Sequence, residues 1–514
     1  LHIELQINTH LHQEEKIKMF SKKLLPFVIA SLLAGQVLAN DDLNALKAQI
    51  AQQQAQLEQM MHKLQALETK TQQAEPSTAP TASAEKGNAS SGYQGSLDQA
   101  RAASRKLSDP VKVGGLTGNP FAGNRMNPDV AVIVDGSYIN RGKSNTQYGE
   151  LSLPSFTHPF GESHAGHNHG GMNMNNGFNL NYAELVFSAA VDNYFDLFAV
   201  VHAGEEASEI EEAYANTRSL PFNTQVKFGK FLSGFGRLNG QHHHYWDFAD
   251  QPLIYQGVFG SHGLLEKGIQ ATWLAPTDTY LLLGVEALQG ENEQSFGNTA
   301  IAMTNKGAVD GAGLVVAFAK TSFDLGKSSW MAGVSYATGQ ARHNHADDEE
   351  NPHAKGGNRS IVGVDLTGKY FLDATRYLMW QSEYIKRDLT NGVVANYATT
   401  DADTLSQALR TRAEDQSGYY SQLILKFAPQ WRTGVRYDAI DANNSTTNGV
   451  SGSSLHGDRN TLMVEYNPTE FSRIRLQYAQ NSAYAPEGAS KLEKFDEVML
   501  QFNMAIGAHG AHSF

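Results

Sequence analysis

Residues 492–514 read LEKFDEVMLQFNMAIGAHGAHSF. Along this stretch Val498, Leu500, Phe502, Met504 and Ile506 share one parity, while Glu497, Met499, Gln501 and Asn503 take the other. Successive side chains of an extended chain point to opposite faces, so the alternation predicts a strand with one apolar and one mostly polar face, ending on the aromatic Phe514. Such a strand fits the edge of a soluble sandwich or the wall of a membrane barrel. The rest of the chain decides between them by how often it repeats the pattern.

From Asp129 onward it repeats throughout, in about sixteen stretches of alternating character. They begin near 129, 177, 193, 209, 222, 267, 278, 312, 328, 358, 376, 416, 430, 457, 471 and 492. The clearest are 473–478 (RIRLQY) and 461–466 (TLMVEY), each with polar residues on one side and Ile, Leu, Val or Tyr on the other. Short connections at 192–193, 220–221, 275–277, 325–327, 371–375, 428–429 and 467–470 each follow an even-numbered strand, and longer ones follow the odd-numbered strands. An even count, polar residues inward, apolar residues outward, and short turns alternating with long loops predict an all-β transmembrane antiparallel barrel over 129–514. With both barrel termini periplasmic, the long loops are external. Sixteen strands would also enclose an aqueous lumen. The last strand, ending in Phe514, resembles the closing strand of bacterial outer-membrane barrels. That resemblance implies a C-terminal signal read by the barrel assembly machinery, and outer-membrane lipid around the wall.

The N-terminal part has a different organisation. Residues 1–18 lack an initiator Met and are expected to be an upstream, non-native extension. Residues 19–39 carry Lys22 and Lys23, an apolar core and a Val37-Leu38-Ala39 cleavage site, an export signal too short to span a bilayer as a helix. Over 41–70 the period becomes seven. Leu43, Ile50, Leu57 and Leu64 fall on one seam position, and Leu46, Met60 and Leu67 on the other, with Gln53 as the break. Four heptads predict an α-helical coiled coil on the periplasmic side, bundling protomers into an oligomer, with a homotrimer favoured over a dimer that the heptads also allow. The alternative is an amphipathic helix lying on the barrel or on peptidoglycan. Residues 71–128 begin as a Pro/Ser/Thr/Ala tract with too little apolar bulk to fold, and are expected to be a flexible linker.

Composition narrows the chemistry. The chain has no cysteine, so disulfides, thiolate metal sites and cysteine nucleophiles are excluded. A formal charge of −13 argues against a nucleic-acid partner. No nucleotide-binding fingerprint occurs, and no Ser/His/acid spacing singles out a nucleophile, so no enzymatic activity is expected.

The histidines gather in the predicted loops. His158, His164, His167 and His169 lie in the first, and His343, His345 and His353 lie in another beside Asp347 and Asp348. Imidazole with carboxylate suits Zn²⁺ and similar ions, so these loops are candidates for collecting divalent metal, although soluble His-rich loops also bind metal weakly without purpose. No cofactor is required, and Zn²⁺ is the ion these loops would take. Residues 230–263, KFLSGFGRLNGQHHHYWDFADQPLIYQGVFGSHG, are too long and too aromatic for a surface loop. This segment is predicted to fold into the lumen and narrow the pore, with Arg237, His242, His243, His244, Trp246, Asp247 and Asp250 at the constriction. Packing on the rim or against another protomer is the alternative.

The runs 209–214 (EIEEAY), 220–231 (LPFNTQVKFGKF), 235–239 (FGRLN) and 242–253 (HHHYWDFADQPL), with the ending GAHGAHSF, make the barrel resemble an uncharacterised proteobacterial family of outer-membrane porin-like proteins, some linked to zinc regulation. The order of signal, coiled coil, tether and barrel is similar to trimeric porins with a periplasmic stalk. The resemblance implies passive diffusion of small solutes through an outer-membrane pore, with a link to divalent metal uptake. The rival expectation is a barrel that displays metal-binding or adhesive loops without conducting.

Overall fold

The computed structural model describes residues 128–507, apart from 157–162, 165–166, 169–174, 204–207, 302–307, 346–352, 397–408, 453 and 487. The N-terminal extension, the export signal, the coiled coil and, but for Pro128, the linker lie outside the described residues, as do His158, His169, Asp347, Asp348 and Phe514.

The described chain forms sixteen long strands. They are β1 (Asp129–Arg141), β2 (Gly177–Ala190), β3 (Phe195–Ala203), β4 (Ser208–Thr217), β5 (Thr224–Leu232), β6 (Leu265–Leu274), β7 (Tyr280–Leu288) and β8 (Leu314–Leu325), then β9 (Ser328–His345), β10 (His353–Phe371), β11 (Tyr377–Asn396), β12 (Arg410–Ala428), β13 (Trp431–Thr447), β14 (Asp458–Thr469), β15 (Ser472–Pro486) and β16 (Glu493–Gly507). Each pairs antiparallel with the next. The sheet closes where β1 pairs with β16, from Ala131 opposite Gly507 to Arg141 opposite Glu497. Closure leaves no sheet edge, which is what lets a β-structure cross hydrocarbon with its backbone hydrogen bonds satisfied.

The strands begin close to where alternation places them. The largest departures are β10 and β12, which start at His353 and Arg410, ahead of the expected 358 and 416. Their early residues, such as RTRAED at 410–415, are polar on both faces. Above a bilayer the outward face has no reason to be apolar, so the period-two signal fades while the strand continues.

The distribution of side chains is inverted relative to a soluble protein. In β16 Val498, Phe502 and Met504 are 41%, 40% and 59% exposed, whereas Glu497, Met499, Gln501 and Asn503 are buried inside the barrel. The same outward parity recurs as Leu462 and Val464 on β14, Leu476 and Tyr478 on β15, Val362 and Val364 on β10, and Val435 and Tyr437 on β13, all exposed. A continuous apolar exterior of this extent is incompatible with water and matches the lipid-facing band of a membrane barrel.

The wall is uneven in height. Strands β3 to β7 have 9, 10, 9, 10 and 9 residues, close to the ~9–11 that cross a bilayer. Strands β9 to β13 have 18, 19, 20, 19 and 17, and so rise well beyond it. At the turn end, local hydrogen bonds fix the connections. The Asp192 carboxylate accepts from the backbone N–H of Tyr194 and Phe195 at 2.6 and 2.9 Å, and Asp373 accepts from those of Thr375 and Arg376 at 2.8 and 2.7 Å. Gly326 takes φ +60° between β8 and β9.

Candidate functional site

The connection between β5 and β6, residues 233–264, runs through the barrel interior. Its apolar side chains explain why. Phe235, Leu238, Trp246, Leu253, Ile254, Tyr255, Val258 and Phe259 are buried, and they join Leu151, Leu153 and Phe156 of the β1–β2 connection in one apolar cluster inside the wall. Among the described residues, the main hydrophobic core therefore lies inside the barrel. A short helix, α1 (Leu253–Phe259), packs against β12 and β13. Small residues on the wall make room for it. A Cβ on Gly363 would come within 2.7 Å of the Phe235 ring, and one on Gly418 within 3.0 Å of Ile254 Cδ1.

Three polar sites fasten this loop to the wall. The first holds its entry. The Glu383 carboxylate of β11 accepts from the backbone N–H of Arg237 and Leu238 at 2.7 and 3.0 Å and from the Tyr255 hydroxyl at 2.7 Å. Glu286 of β7 accepts from the Gly234 N–H at 2.8 Å. The Arg237 side chain is half-buried, with Nη1 3.4 Å from Met331 Sδ.

The second site is a ladder of arginines on β13, β14 and β15. Asp247 pairs with Arg432 at 2.8 Å, and Asp250 pairs with Arg436 and Arg459 at 2.9 and 2.6 Å. The same guanidinium groups meet wall carboxylates: Arg432 and Arg475 bind Glu465, each at 2.8 Å, and Arg436 and Arg459 bind Asp438 at 2.9 and 3.2 Å. Spare donors go to loop carbonyls, Arg475 to Trp246 O at 2.7 Å and Arg473 to His244 O at 2.5 Å. Burial alone would raise the Asp250 pKa, but Arg436 and Arg459 outweigh it and hold the carboxyl below its ordinary range.

The third site is acidic and lies on β2 and β4. His242 Nε2 is 2.8 Å from Glu212 Oε2, while its Nδ1 is 3.4 Å from Glu211 Oε2 and 3.7 Å from Glu184 Oε1. His244 Nδ1 is 3.2 Å from Glu184 Oε2, and the His242 and His244 rings stack at 5.7 Å. All five side chains are buried. Burial would lower the His242 pKa, yet the adjacent Glu211 and Glu212 carboxylates carry it well above the usual imidazole value. Burial pushes His243 down to about 4, leaving it neutral at pH 7 against the Trp246 ring. The adjacent carboxylates Glu211 and Glu212 both face inward because of a β-bulge. Val200 pairs with Glu212 and Val201 with Ile210, so Glu211 is the extra residue.

The loop residues singled out by sequence thus all lie inside the barrel, but Asp247, Asp250, His242 and His244 bind the wall instead of facing an open side. Their wall partners Glu184, Glu211, Glu212, Glu383, Arg432, Arg436, Arg459 and Arg475 had not been singled out. One signal for them exists, the consecutive acids of EIEE at 209–212, which interrupt a strand alternation. Among the histidines of the other loops, His164 pairs with His167 in a small hairpin, and His345 pairs with His353 and His343 with Lys355 on the β9–β10 stem.

A closed antiparallel barrel with an apolar exterior, short turns at one end and a lumenal loop defines a membrane β-barrel of the outer-membrane type. An uncharacterised protein of Aquifex aeolicus (strain VF5) is 45% identical over 408 residues, spanning 78% of this chain and 83% of that protein. The chain belongs to the family of that protein. No family model matches. Solved structures of similar fold include the outer-membrane channel DcaP of Acinetobacter baumannii (TM-score 0.43, 13% identity, 77% of this chain and 100% of that one). Others are an anion-selective porin from Comamonas acidovorans (0.42, 11%, 74% and 99%) and OmpT of Vibrio cholerae (0.42, 10%, 74% and 97%).

Proposed function

We propose that this protein is a porin of the Gram-negative outer membrane, passing small hydrophilic solutes down their gradient, with its cross-section set by residues 233–264. The observation that carries the reading is the pairing of an apolar outer face with an inner face of Arg, Lys, Glu, Asp and Gln around a loop tied to the wall at three places. A barrel of this strand number leaves a lumen wider than side chains alone can fill, and a folded-in loop is the means of narrowing it. Half-buried Arg237 of the loop and Lys320, Lys369 and Lys426 of the wall beside it give the route a basic lining towards the turn end of the barrel.

The protomers assemble as a homotrimer through the wall at β2 to β4. The outward parity of β2, β3 and β4 carries Ala183, Ala189, Ala199, Ala213 and Ala215, small side chains that let two walls approach closely, and the heptads at 41–70 favour bundling on the periplasmic side.

The test is swelling of proteoliposomes in sugars of graded size. Uptake that falls off with solute size supports the porin. Folded protein impermeable to every sugar and to small ions would contradict it and favour a barrel that only displays its loops.

A further inference from the structure

We infer that Glu184, Glu211 and His242 form a binding site for one divalent transition-metal ion of the Zn²⁺ class, which clamps the lumenal loop to strands β2 and β4. The inference rests on this geometry and does not depend on conduction.

One ligand atom from each residue lies within 4.8 Å of the others, and all three side chains are buried. His242 Nδ1 and Glu184 Oε1 are buried polar atoms without a hydrogen-bond partner, and they face each other across the cluster. The spacings of 3.4 Å from Nδ1 to Glu211 Oε2 and 3.7 Å to Glu184 Oε1 are long for hydrogen bonds. They are close to the ~3.3 Å edge of a tetrahedron of ligands at about 2.0–2.1 Å from zinc.

The other ring nitrogen is already used as a ligating histidine uses it. His242 Nε2 meets Glu212 Oε2 at 2.8 Å, which fixes the ring orientation and leaves Nδ1 facing the two remaining carboxylates, where an incoming ion would displace its proton. The charge count agrees, since three carboxylates converge on two imidazoles and, among the described residues, no Lys or Arg pairs with Glu184, Glu211 or Glu212. Buried like charges repel at this range, and a dication bound to them relieves the repulsion. Two carboxylates and one imidazole leave a fourth position for water, and this N/O set selects Zn²⁺, Co²⁺ or Ni²⁺ over Ca²⁺ or Mg²⁺.

A small cavity of about 10 Å³ lies against Glu211, lined also by Gln241, His243, Trp246 and His262. His262 and Glu209 stand half-exposed 3.7 Å apart. The cluster lies near the loop end of β3 and β4, since Glu184 pairs across the sheet with His202, next to the end of β3 at Ala203.

The test is cobalt and zinc titration of the purified full-length protein in detergent after removal of bound ions, counting metal per protomer and recording the visible spectrum of bound Co²⁺. One equivalent should bind with the intense absorption of a low-coordinate N/O site. Glu184→Gln and Glu211→Gln, which keep the side-chain shape, should abolish that equivalent, and Glu212→Gln should weaken it about tenfold or more. A variant with His164, His167, His343, His345 and His353 all changed to Ala should retain it. Heat-modifiable migration on gels checks that each variant is folded. Wild-type protein that takes up no stoichiometric cobalt overturns the proposal whatever the variants do. So does an equivalent that survives in folded Glu211→Gln and disappears in the five-histidine variant, because it would place the metal on the external loops.

Discussion

The short segment 242–250 meets the barrel wall twice, and the two meetings are electrostatically opposite. At its C-terminal end Asp247 and Asp250 enter a ladder in which Arg432, Arg436, Arg459, Arg473 and Arg475 are matched by loop carboxylates, by Asp438 and Glu465, and by backbone carbonyls. At its N-terminal end His242 and His244 enter a pocket where Glu184, Glu211 and Glu212 outnumber them. Buried charge that is compensated within the chain holds structure. Buried charge that is not compensated is where an external ion has most to offer. The loop is therefore fastened by matched charges on the β13–β15 side, and on the β2–β4 side through an acidic excess that the proposed ion would balance.

The contrast predicts how each side responds to losing a carboxylate. Glu465→Ala should be the most damaging change, since it takes the carboxylate from fully buried Arg475 and leaves half-buried Arg432 with Asp247 alone. A loss of about 3–5 kcal/mol is expected, read as a lower temperature for conversion to the unfolded band on gels. Asp250→Ala should cost about 2–3 kcal/mol, because Arg436 and Arg459 keep Asp438 as a partner. It should also raise single-channel conductance as the loop loosens, and an unchanged conductance would mean that the ladder does not set the pore.

On the acidic side the loss is smaller. Without added metal, Glu211→Gln should cost about 1–2 kcal/mol, since Glu212 keeps its contact with His242. With zinc at a hundred times its dissociation constant, wild-type protein should gain about 2.7 kcal/mol that this variant does not. Equal melting shifts in the two proteins would erase the distinction between the sides. The smallest effect belongs to the exposed cluster in which Lys386 lies 3.2 Å from Asp415. Lys386→Ala should move stability by less than about 0.5 kcal/mol, and a larger change would show that solvent-facing pairs matter here as much as buried ones.

How much of this could be read in the sequence follows from what the membrane demands. Lipid requires an apolar side chain at every second position, so β16, β15 and β14 announce themselves in single strands. The turns do too, because Asp192, Gly326 and Asp373 act locally. The inward destiny of 233–264 was legible for a similar reason, since Phe235, Trp246, Phe248 and Phe259 cannot remain in water.

Partner choice was not legible. An inward Arg on β13 looks like any other polar residue until closure of the sheet brings Arg436 and Arg459 to Asp250. That meeting depends on register and on the path of a loop from across the barrel. The acidic pocket was hidden for a second reason. A bulge at Glu211 turns two neighbouring carboxylates to one face, which strict alternation forbids, so the pattern that reveals the wall conceals its exception.

Single-channel recording of the purified protein in a planar bilayer, with its folded state checked by gel migration, decides whether the barrel conducts. Discrete ion-conducting steps are expected, grouped in threes for a trimer. Folded protein that inserts and yet leaves the bilayer insulating would contradict the porin reading.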